Sequence, residues 1–253
     1  MRHHYLSMSR MSLAYLCAFG MRSDAAQFPR LAGSAAQTGS VTHMHAERHV
    51  NHDEGPPDFG KYSAEVLAEA AELFSPKLRA WLDSTKWTAC EIGIRYDSAS
   101  DTSTIGPRRG EPGYEDVGPR VLPGTLDLVH VDREQDMVTV VDLKSGKLVN
   151  DTEQLRAQAV AASRLYGVKR ARVGYVYARK TKCDEPKWTY LDEDALDLEA
   201  GRIARLLRTL PMAKPAPGDD HCWKCDARPG CPAFGAALAQ NDAAELEAAG
   251  FFS

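Results

Sequence analysis

The segment that most constrains the fold of this chain covers residues 124–146 and reads GTLDLVHVDREQDMVTVVDLKSG. Val, Leu and Thr dominate two runs, residues 124–131 and residues 137–143, and a charged turn separates them. Runs of this composition on either side of a polar turn predict two adjacent strands. We therefore expect a β-hairpin here.

Two carboxylates and a lysine stand in this hairpin at positions where apolar side chains are expected. Asp127 interrupts the first run, and Asp142 and Lys144 end the second. Side chains alternate along a strand, so Asp142 and Lys144 share one face. A turn centred near Glu134 puts Asp127 roughly opposite Asp142. Opposed carboxylates repel each other, and a divalent cation bound by both would remove that cost. Lys144 would place a positive charge beside the metal, where a phosphate could bind.

The order of these residues resembles a known family. Gly124-x-x-Asp127 on one strand, followed by Asp142-x-Lys144 on the next, resembles the PD-(D/E)XK nuclease superfamily. The extension VVDLKSG is similar to the RecB-type branch, which includes the CRISPR-associated exonucleases. The resemblance implies an α/β restriction-endonuclease-like core, a mixed central sheet flanked by helices. It also implies hydrolysis of DNA phosphodiester bonds by a metal-dependent nuclease, and we expect an exonuclease.

An upstream segment that begins at Gly39, GSVTHMHAERHV, is expected to be helical. Gly39-x-x-x-His43-x-x-x-Glu47 resembles the first motif of the RecB-like branch, in which the His is a metal ligand. The neighbouring His45 and His49 are interpreted as structural or solvated. A His-rich solvated helix is the alternative interpretation of the whole segment.

The resemblance also assigns roles at the implied active site. The implied ligands of Mg²⁺ or Mn²⁺ are His43, Asp127, Asp142 and the backbone carbonyl of Leu143. Lys144 would stabilise the transition state or position water. Gln154 would orient Lys144 or the phosphate. The branch has a Gln-x-x-x-Tyr motif here, whereas this chain has Gln154 followed by Gln158, with Tyr166 two turns later.

Hydrophobic period and turn signals predict the other elements. We expect helices over 62–82 (interrupted or restarted at Pro76), 151–166 (closed by Gly167) and 193–210, strands over 88–97, 171–179 and 187–191, and a long loop over 98–123. Glu91, on the first of these strands, either approaches the site or faces solvent. Arg108, Arg109 and Arg120, on the long loop, either contact a nucleic-acid backbone or are solvated.

Three cysteines near the end of the chain, Cys222-x-x-Cys225-x5-Cys231, have the spacing of metal ligands. Thiolates select zinc or iron–sulfur clusters. Cys17 would complete an all-cysteine set for a [4Fe-4S] cluster, as in the RecB-like iron–sulfur nucleases. His221 would instead complete a zinc site with the three cysteines. We favour the cluster, because Cys17 lies upstream of the first nuclease motif.

The predicted domain organisation follows from these motifs. Residues 39–210 are expected to form the nuclease core, and residues 10–38 and 211–253 a small Cys-ligated cluster subdomain made by the two termini. Cys90 and Cys183 are interpreted as ordinary residues.

Composition and charge restrict the class of protein. With 253 residues and a net charge of −4, the chain does not resemble a protein that coats polyanions through many phosphate contacts. The apolar run near the N-terminus is short for a signal peptide, so we expect a cytoplasmic protein, and no run is long enough to span a membrane. The expected partners are DNA and, because the sequence shows no Walker A pattern, a separate helicase or recombination protein.

Two other functions remain open at this point. One is a catalytically weak DNA-binding or assembly subunit that keeps the fold, although Asp127, Asp142 and Lys144 are all present. The other is a zinc-stabilised interaction protein in which Asp-x-Lys is fortuitous.

Overall fold

The computed structural model describes residues 6–22, 33–53, 55, 58–146, 152–181, 183–184, 186–216, 222, 225, 227 and 231–233. Its helices are α1 (Met11–Leu16), α2 (Ser34–Val50), α3 (Ala64–Leu73), α4 (Pro76–Asp83), α5 (Glu153–Tyr166) and α6 (Glu193–Thr209). Short 3-10 turns occur at Met8–Arg10, Ala18–Met21 and Leu210–Met212. Its strands are β1 (Ala89–Asp97), β2 (Thr102–Ile105), β3 (Val121–Asp132), β4 (Met137–Lys144), β5 (Arg170–Ala178), β6 (Cys183–Asp184) and β7 (Thr189–Leu191).

Within this described part of the chain, the strands form one mixed sheet of seven strands. Its order is β2-β1-β3-β4-β5-β6, and β7 also pairs with β5. The strand pairs are antiparallel except for β4 and β5, which run parallel. A parallel pair needs a crossover connection, and α5 provides it. A mixed central sheet flanked by helices agrees with the expected restriction-endonuclease-like core.

The predicted hairpin is confirmed as β3 and β4. Its antiparallel register pairs Leu128 with Val141 and Asp132 with Met137. Continued by one residue, that register brings Asp127 opposite Asp142, as the position of the turn predicted.

The predicted loop over 98–123 is wrong in part. Residues 102–105 form β2, which pairs antiparallel with β1, and β3 begins at Val121 rather than at residue 124. The sequence of β2, TSTI, is short, and most of its residues are exposed. It therefore carries no hydrophobic period, and its strand conformation depends on hydrogen bonds to its partner strand. Asp101, with a φ of 52°, makes the tight turn between β1 and β2.

The helix predicted over 62–82 consists of two helices, because the chain restarts at Pro76. Ser75 is the N-cap of α4, and its hydroxyl accepts a hydrogen bond from the Leu78 N–H. Proline is favoured in the first turn of a helix, where its missing N–H is not needed. The prediction that Gly167 closes α5 is confirmed, since it adopts a left-handed conformation with φ 62°.

Helices cover the sheet on both faces. One apolar cluster contains buried residues of α1, α5 and α6 and of the strands, including Met11, Val140, Val160 and Ile203. A second cluster joins α2 and α4 to the strands through Ala46, Leu78, Leu82 and Leu143. The end of β4 therefore lies between two layers of helices. Among the described residues, no helix combines the length and the apolarity that a membrane crossing requires.

The segment that precedes α2 contributes to the main core. Leu6, Met8 and Met11 are each at most 1% exposed. Met8 packs against Gly124, where an added Cβ would lie 2.2 Å from the Met8 Sδ atom. The glycine of the Gly-x-x-Asp motif therefore provides the room for a buried methionine.

Candidate metal centre

Polar side chains converge at the end of β4, although they come from distant parts of the chain. Asp127 on β3 accepts a hydrogen bond from the Leu143 backbone N–H at 2.7 Å through its Oδ2 atom. Asp127 and Asp142 are 8% and 2% exposed. Burial of two carboxylates requires compensating charges or hydrogen bonds, and the surrounding residues supply both.

His43 on α2 bridges two strands at this point. Its Nδ1 atom lies 2.6 Å from Glu91 Oε1, and its Nε2 atom lies 2.8 Å from the Leu143 carbonyl oxygen. Both neighbours are hydrogen-bond acceptors, so both contacts are satisfied when the ring carries two protons. Burial alone would lower the pKa of His43, but Asp127 and Glu91 raise that pKa to about 10.

A compact group of possible metal ligands is present in the described part of the chain. His43, Glu91 and Asp127 each offer one ligand atom, and these atoms all lie within 4.8 Å of one another. An imidazole nitrogen and two carboxylate oxygens are a donor set that divalent cations bind. His43 Nε2 also brings the Leu143 carbonyl to the edge of this group.

Glu91 reaches this group through an unusual backbone conformation. It has a φ of 50° in the middle of β1, where a non-glycine residue is strained. The pairs Cys90–Leu128 and Ile92–Leu126 flank it, so Glu91 lies opposite Asp127. The sequence left Glu91 undecided between the site and solvent, and the structure places it in the site. No local pattern could have signalled the positive φ.

Asp142 interacts with a different set of side chains. Its Oδ2 atom lies 2.6 Å from Lys144 Nζ. Gln154 donates to Oδ1 from the first turn of α5, and Gln158 donates to the same oxygen at 3.3 Å. The structure thus brings together all four residues predicted as catalytic, Asp127, Asp142, Lys144 and Gln154, with Asp142 beside the lysine rather than inside the His43 group.

Gln158 is a buried neighbour of Asp142. In the sequence it stood out only because it replaces the tyrosine of the Gln-x-x-x-Tyr motif. Its side-chain amide donates to Asp142 Oδ1 and to the Thr125 carbonyl oxygen, at 3.3 and 3.2 Å. Both partners are acceptors, so the NH₂ group must face them. Gln158 lies four residues after Gln154, on the same face of α5. That spacing was visible in the sequence.

Electrostatic coupling links the charges of the site. Burial raises the pKa of Asp127 well above its usual value, and Asp142 and Glu91 raise it further, although His43 opposes the shift. Burial would lower the pKa of Lys144, but Asp142 and Asp127 raise it above its ordinary value. Lys144 is therefore an ammonium at neutral pH, 5.4 Å from the centroid of the Tyr175 ring.

Other predicted residues lie outside the site. The His45 ring stacks on Phe74, with centroids 5.4 Å apart, and His49 Nε2 lies 2.8 Å from Asp83 Oδ1. Both contacts are with residues after α2 that pack against that helix. Tyr166 lies two turns beyond Gln158, at the C-terminal end of α5.

Three cysteines of the implied cluster lie close enough to the fourth, Cys225, to affect its thiol. Burial raises the pKa of the Cys225 thiol, and Cys17, Cys231 and Cys222 raise it further. The N-terminal Cys17 accepts a hydrogen bond from the Ala216 backbone N–H at 3.5 Å. Both ends of the described chain thus meet around Cys225. His221, the alternative ligand, lies outside the described residues.

Comparison with known protein families identifies the family of this chain. A family model described as the PD-(D/E)XK nuclease superfamily matches residues 5–232. No curated protein matches the sequence. Among solved structures, the chain is similar to one titled "Crystal structure of SSO0001", at 13% identity and a TM-score of 0.37 over 79% of this chain and 84% of that one. Since the family match covers most of the chain and includes both hairpin strands, the protein belongs to the PD-(D/E)XK nuclease superfamily, whose members generally cleave phosphodiester bonds.

Proposed function

We propose that this protein is a Mg²⁺- or Mn²⁺-dependent deoxyribonuclease of the RecB-like branch, and that it acts as an exonuclease. One observation carries the proposal. The possible metal-binding group of His43, Glu91 and Asp127 lies next to the Asp142–Lys144 ion pair. A phosphate beside that group would meet both a cation and an ammonium.

The residues present fit a hard divalent cation. Asp127, Glu91 and the Leu143 carbonyl supply oxygen atoms, which Mg²⁺ and Mn²⁺ prefer, and His43 supplies a nitrogen once the incoming cation displaces one of its two ring protons. Asp142, opposite Asp127 across the hairpin, is a further candidate ligand. A bound cation would supply Lewis-acid stabilisation of negative charge on the phosphate and would lower the pKa of a water.

The chain's own residues would orient the phosphate. Lys144 is paired with Asp142 at 2.6 Å, and its side chain remains 27% exposed. Its ammonium can therefore donate to a phosphate oxygen without leaving the carboxylate. Gln154 and Gln158 donate to the other Asp142 oxygen. They therefore fix the carboxylate with which Lys144 is paired. Donors fixed in this way stabilise developing charge without reorganising.

The cysteines support a second part of the proposal, a [4Fe-4S] cluster bound by Cys17, Cys222, Cys225 and Cys231. The donor set is soft and all-thiolate, and the neighbouring thiols affect the pKa of Cys225. The cluster would join residues 10–38 to residues 211–253 in one subdomain. A zinc ion held by His221 and the three later cysteines is the alternative.

DNA is the proposed substrate, and a helicase or recombination protein is the proposed partner. The overall charge of −4 and the carboxylates of the site repel the negatively charged DNA backbone. Binding must therefore depend on local positive charge, such as a bound cation and Lys144. Strand separation would come from another chain, because the sequence has no Walker A pattern.

The decisive experiment uses protein purified without oxygen and DNA labelled at either end, single- or double-stranded, with and without Mn²⁺. An exonuclease releases short products from one end, whereas an endonuclease first yields internal fragments. Binding without cleavage would favour the catalytically weak subunit. Neither binding nor cleavage would favour the zinc-stabilised interaction protein.

A further inference from the structure

The strained backbone of Glu91 must be held by its surroundings, because a positive φ inside a strand is unfavourable for a residue other than glycine. Its φ is 50°. Its carboxylate is held by His43 at 2.6 Å, but that contact does not fix its backbone carbonyl. Arg108, from the loop between β2 and β3, is near this carbonyl: its Nη1 atom lies 3.5 Å from the Glu91 oxygen.

Arg108 joins three parts of the structure through one guanidinium. Nη1 also donates to Glu47 Oε1 at 2.6 Å, and Nε donates to Glu111 Oε1 at 2.8 Å. Glu47 lies one helical turn after His43 on α2. Arg108 therefore connects the helix that carries His43 to the backbone of Glu91.

The loop reaches this place because β1 has a glycine where the chains come close. The Gly106 backbone N–H donates to the Gly93 carbonyl at 3.0 Å. A Cβ at Gly93 would lie 2.2 Å from the Gly106 carbonyl oxygen and 2.4 Å from the Pro107 carbonyl carbon. Close backbone contact of this kind excludes side chains. Two residues later, Arg108 is positioned over Glu91.

We infer that Arg108 is a positioning residue that holds Glu91 and the His43 helix in the metal-binding arrangement, an inference that rests on the proposed function. The competing interpretation is that Arg108 contacts a DNA phosphate. Two carboxylates, Glu47 and Glu111, already bind its guanidinium. Their negative charges repel a phosphate and neutralise most of the positive charge of Arg108.

The test is the Mn²⁺ affinity of the full chain, measured without DNA by calorimetry or by the electron paramagnetic resonance of unbound Mn²⁺. Arg108→Gln should weaken Mn²⁺ binding by about tenfold or more, the usual effect of losing a residue that orients a metal ligand. Arg109→Gln is the matched control, because the Arg109 main chain, rather than its side chain, donates to Thr125 Oγ1. It should bind Mn²⁺ like the wild type.

DNA affinity, measured at several salt concentrations, separates the two interpretations. If Arg108 contacts a DNA phosphate, Arg108→Gln should reduce the log–log slope of DNA affinity against salt by about 0.9 and leave the Mn²⁺ affinity unchanged, which would overturn the inference. Equal Mn²⁺ affinities of wild type and Arg108→Gln would also overturn it. If Arg108→Gln does not fold, Glu47→Gln removes the same ion pair and should weaken Mn²⁺ binding in the same direction. A wild-type protein that binds Mn²⁺ but cuts no DNA would refute the nuclease proposal alone.

Discussion

His43 Nδ1 lies 2.6 Å from Glu91 Oε1, although the two residues are 48 positions apart in the chain. This contact connects α2 on one face of the sheet to β1 within it. It adds the Glu91 carboxylate, whose position the sequence had left undecided, to the possible metal ligands. Asp142, also expected among those ligands, contacts Lys144 and Gln154. The structure therefore places a lysine-bearing group beside the possible metal-binding group.

Lys144→Ala should reduce DNA cleavage by on the order of 10²–10³, the usual cost of removing a donor that stabilises transition-state charge. Its side chain is partly exposed, so the folded structure should survive. Asp142→Asn keeps the shape and the Gln154 contact but removes the charge opposite Lys144, and it should be similarly inactive. Rates are measured with excess Mn²⁺, and the fold is checked by circular dichroism. Cleavage at the wild-type rate by either variant would disprove the assignment.

Replacing His43 or His45 of α2 by alanine should produce two different defects. His43→Ala should weaken Mn²⁺ binding strongly, because it removes the nitrogen of the group formed with Glu91 and Asp127. His45→Ala should keep Mn²⁺ affinity but lower the free energy of unfolding by about 0.5–1.5 kcal/mol, since it removes stacking on Phe74. Metal titration and urea unfolding of both variants distinguish the two roles. Equal metal affinities would mean that α2 is a generic His-rich helix.

Gln158→Ala should be destabilising as well as less active. It removes hydrogen bonds to the half-buried Thr125 carbonyl and to the buried Asp142 carboxylate, and a buried polar group left unsatisfied costs about 1–3 kcal/mol. Gln154→Ala should reduce activity with a smaller loss of stability, because Gln154 is only half-buried. The two residues share one Asp142 oxygen, so their effects on cleavage should not add. Strict additivity in a double-mutant cycle would show that they act independently.

Gly124→Ala should lower the free energy of unfolding by about 1–3 kcal/mol, the usual cost of overpacking a core. The added methyl group would lie 2.2 Å from Met8 Sδ. Gly201→Ala is the control, because nothing lies within 4 Å of that position in α6 and alanine favours a helix. Combined with Met8→Ala, Gly124→Ala should destabilise the protein by less than the sum of the two single changes, because the smaller side chain leaves room for the methyl group. No loss in Gly124→Ala would show that Met8 does not pack there.

The proposed iron–sulfur cluster should make the protein coloured. Purified without oxygen, it should be brown and contain about four irons per chain if the cluster is a cubane. Cys17→Ala should remove the colour and make the protein protease-sensitive, because metal-binding free energy is also folding free energy. Asp142→Asn should keep the colour. A colourless protein with one zinc, insensitive to Cys17→Ala but sensitive to His221→Ala, would replace the cluster with the zinc site. The nuclease proposal rests on other residues and would survive that result.

Features encoded within a few neighbouring residues were predictable from the sequence alone. The alternation of side chains put Asp142 and Lys144 on one face of β4, and the position of the turn put Asp127 opposite Asp142. Pro76 and Gly167 marked a helix start and a helix end. These features depend on local stereochemistry, which the residue types determine directly.

Only the tertiary structure decided which distant side chains complete the site. Glu91 turns inward through a strained φ, and Gln158 reaches Asp142 only because α5 packs across the end of β4. Residues 102–105 become a strand only beside β1, and Met8 is buried only where β3 has a glycine. Each of these features depends on contacts between segments far apart in sequence. A pattern of neighbouring residue types does not contain that information.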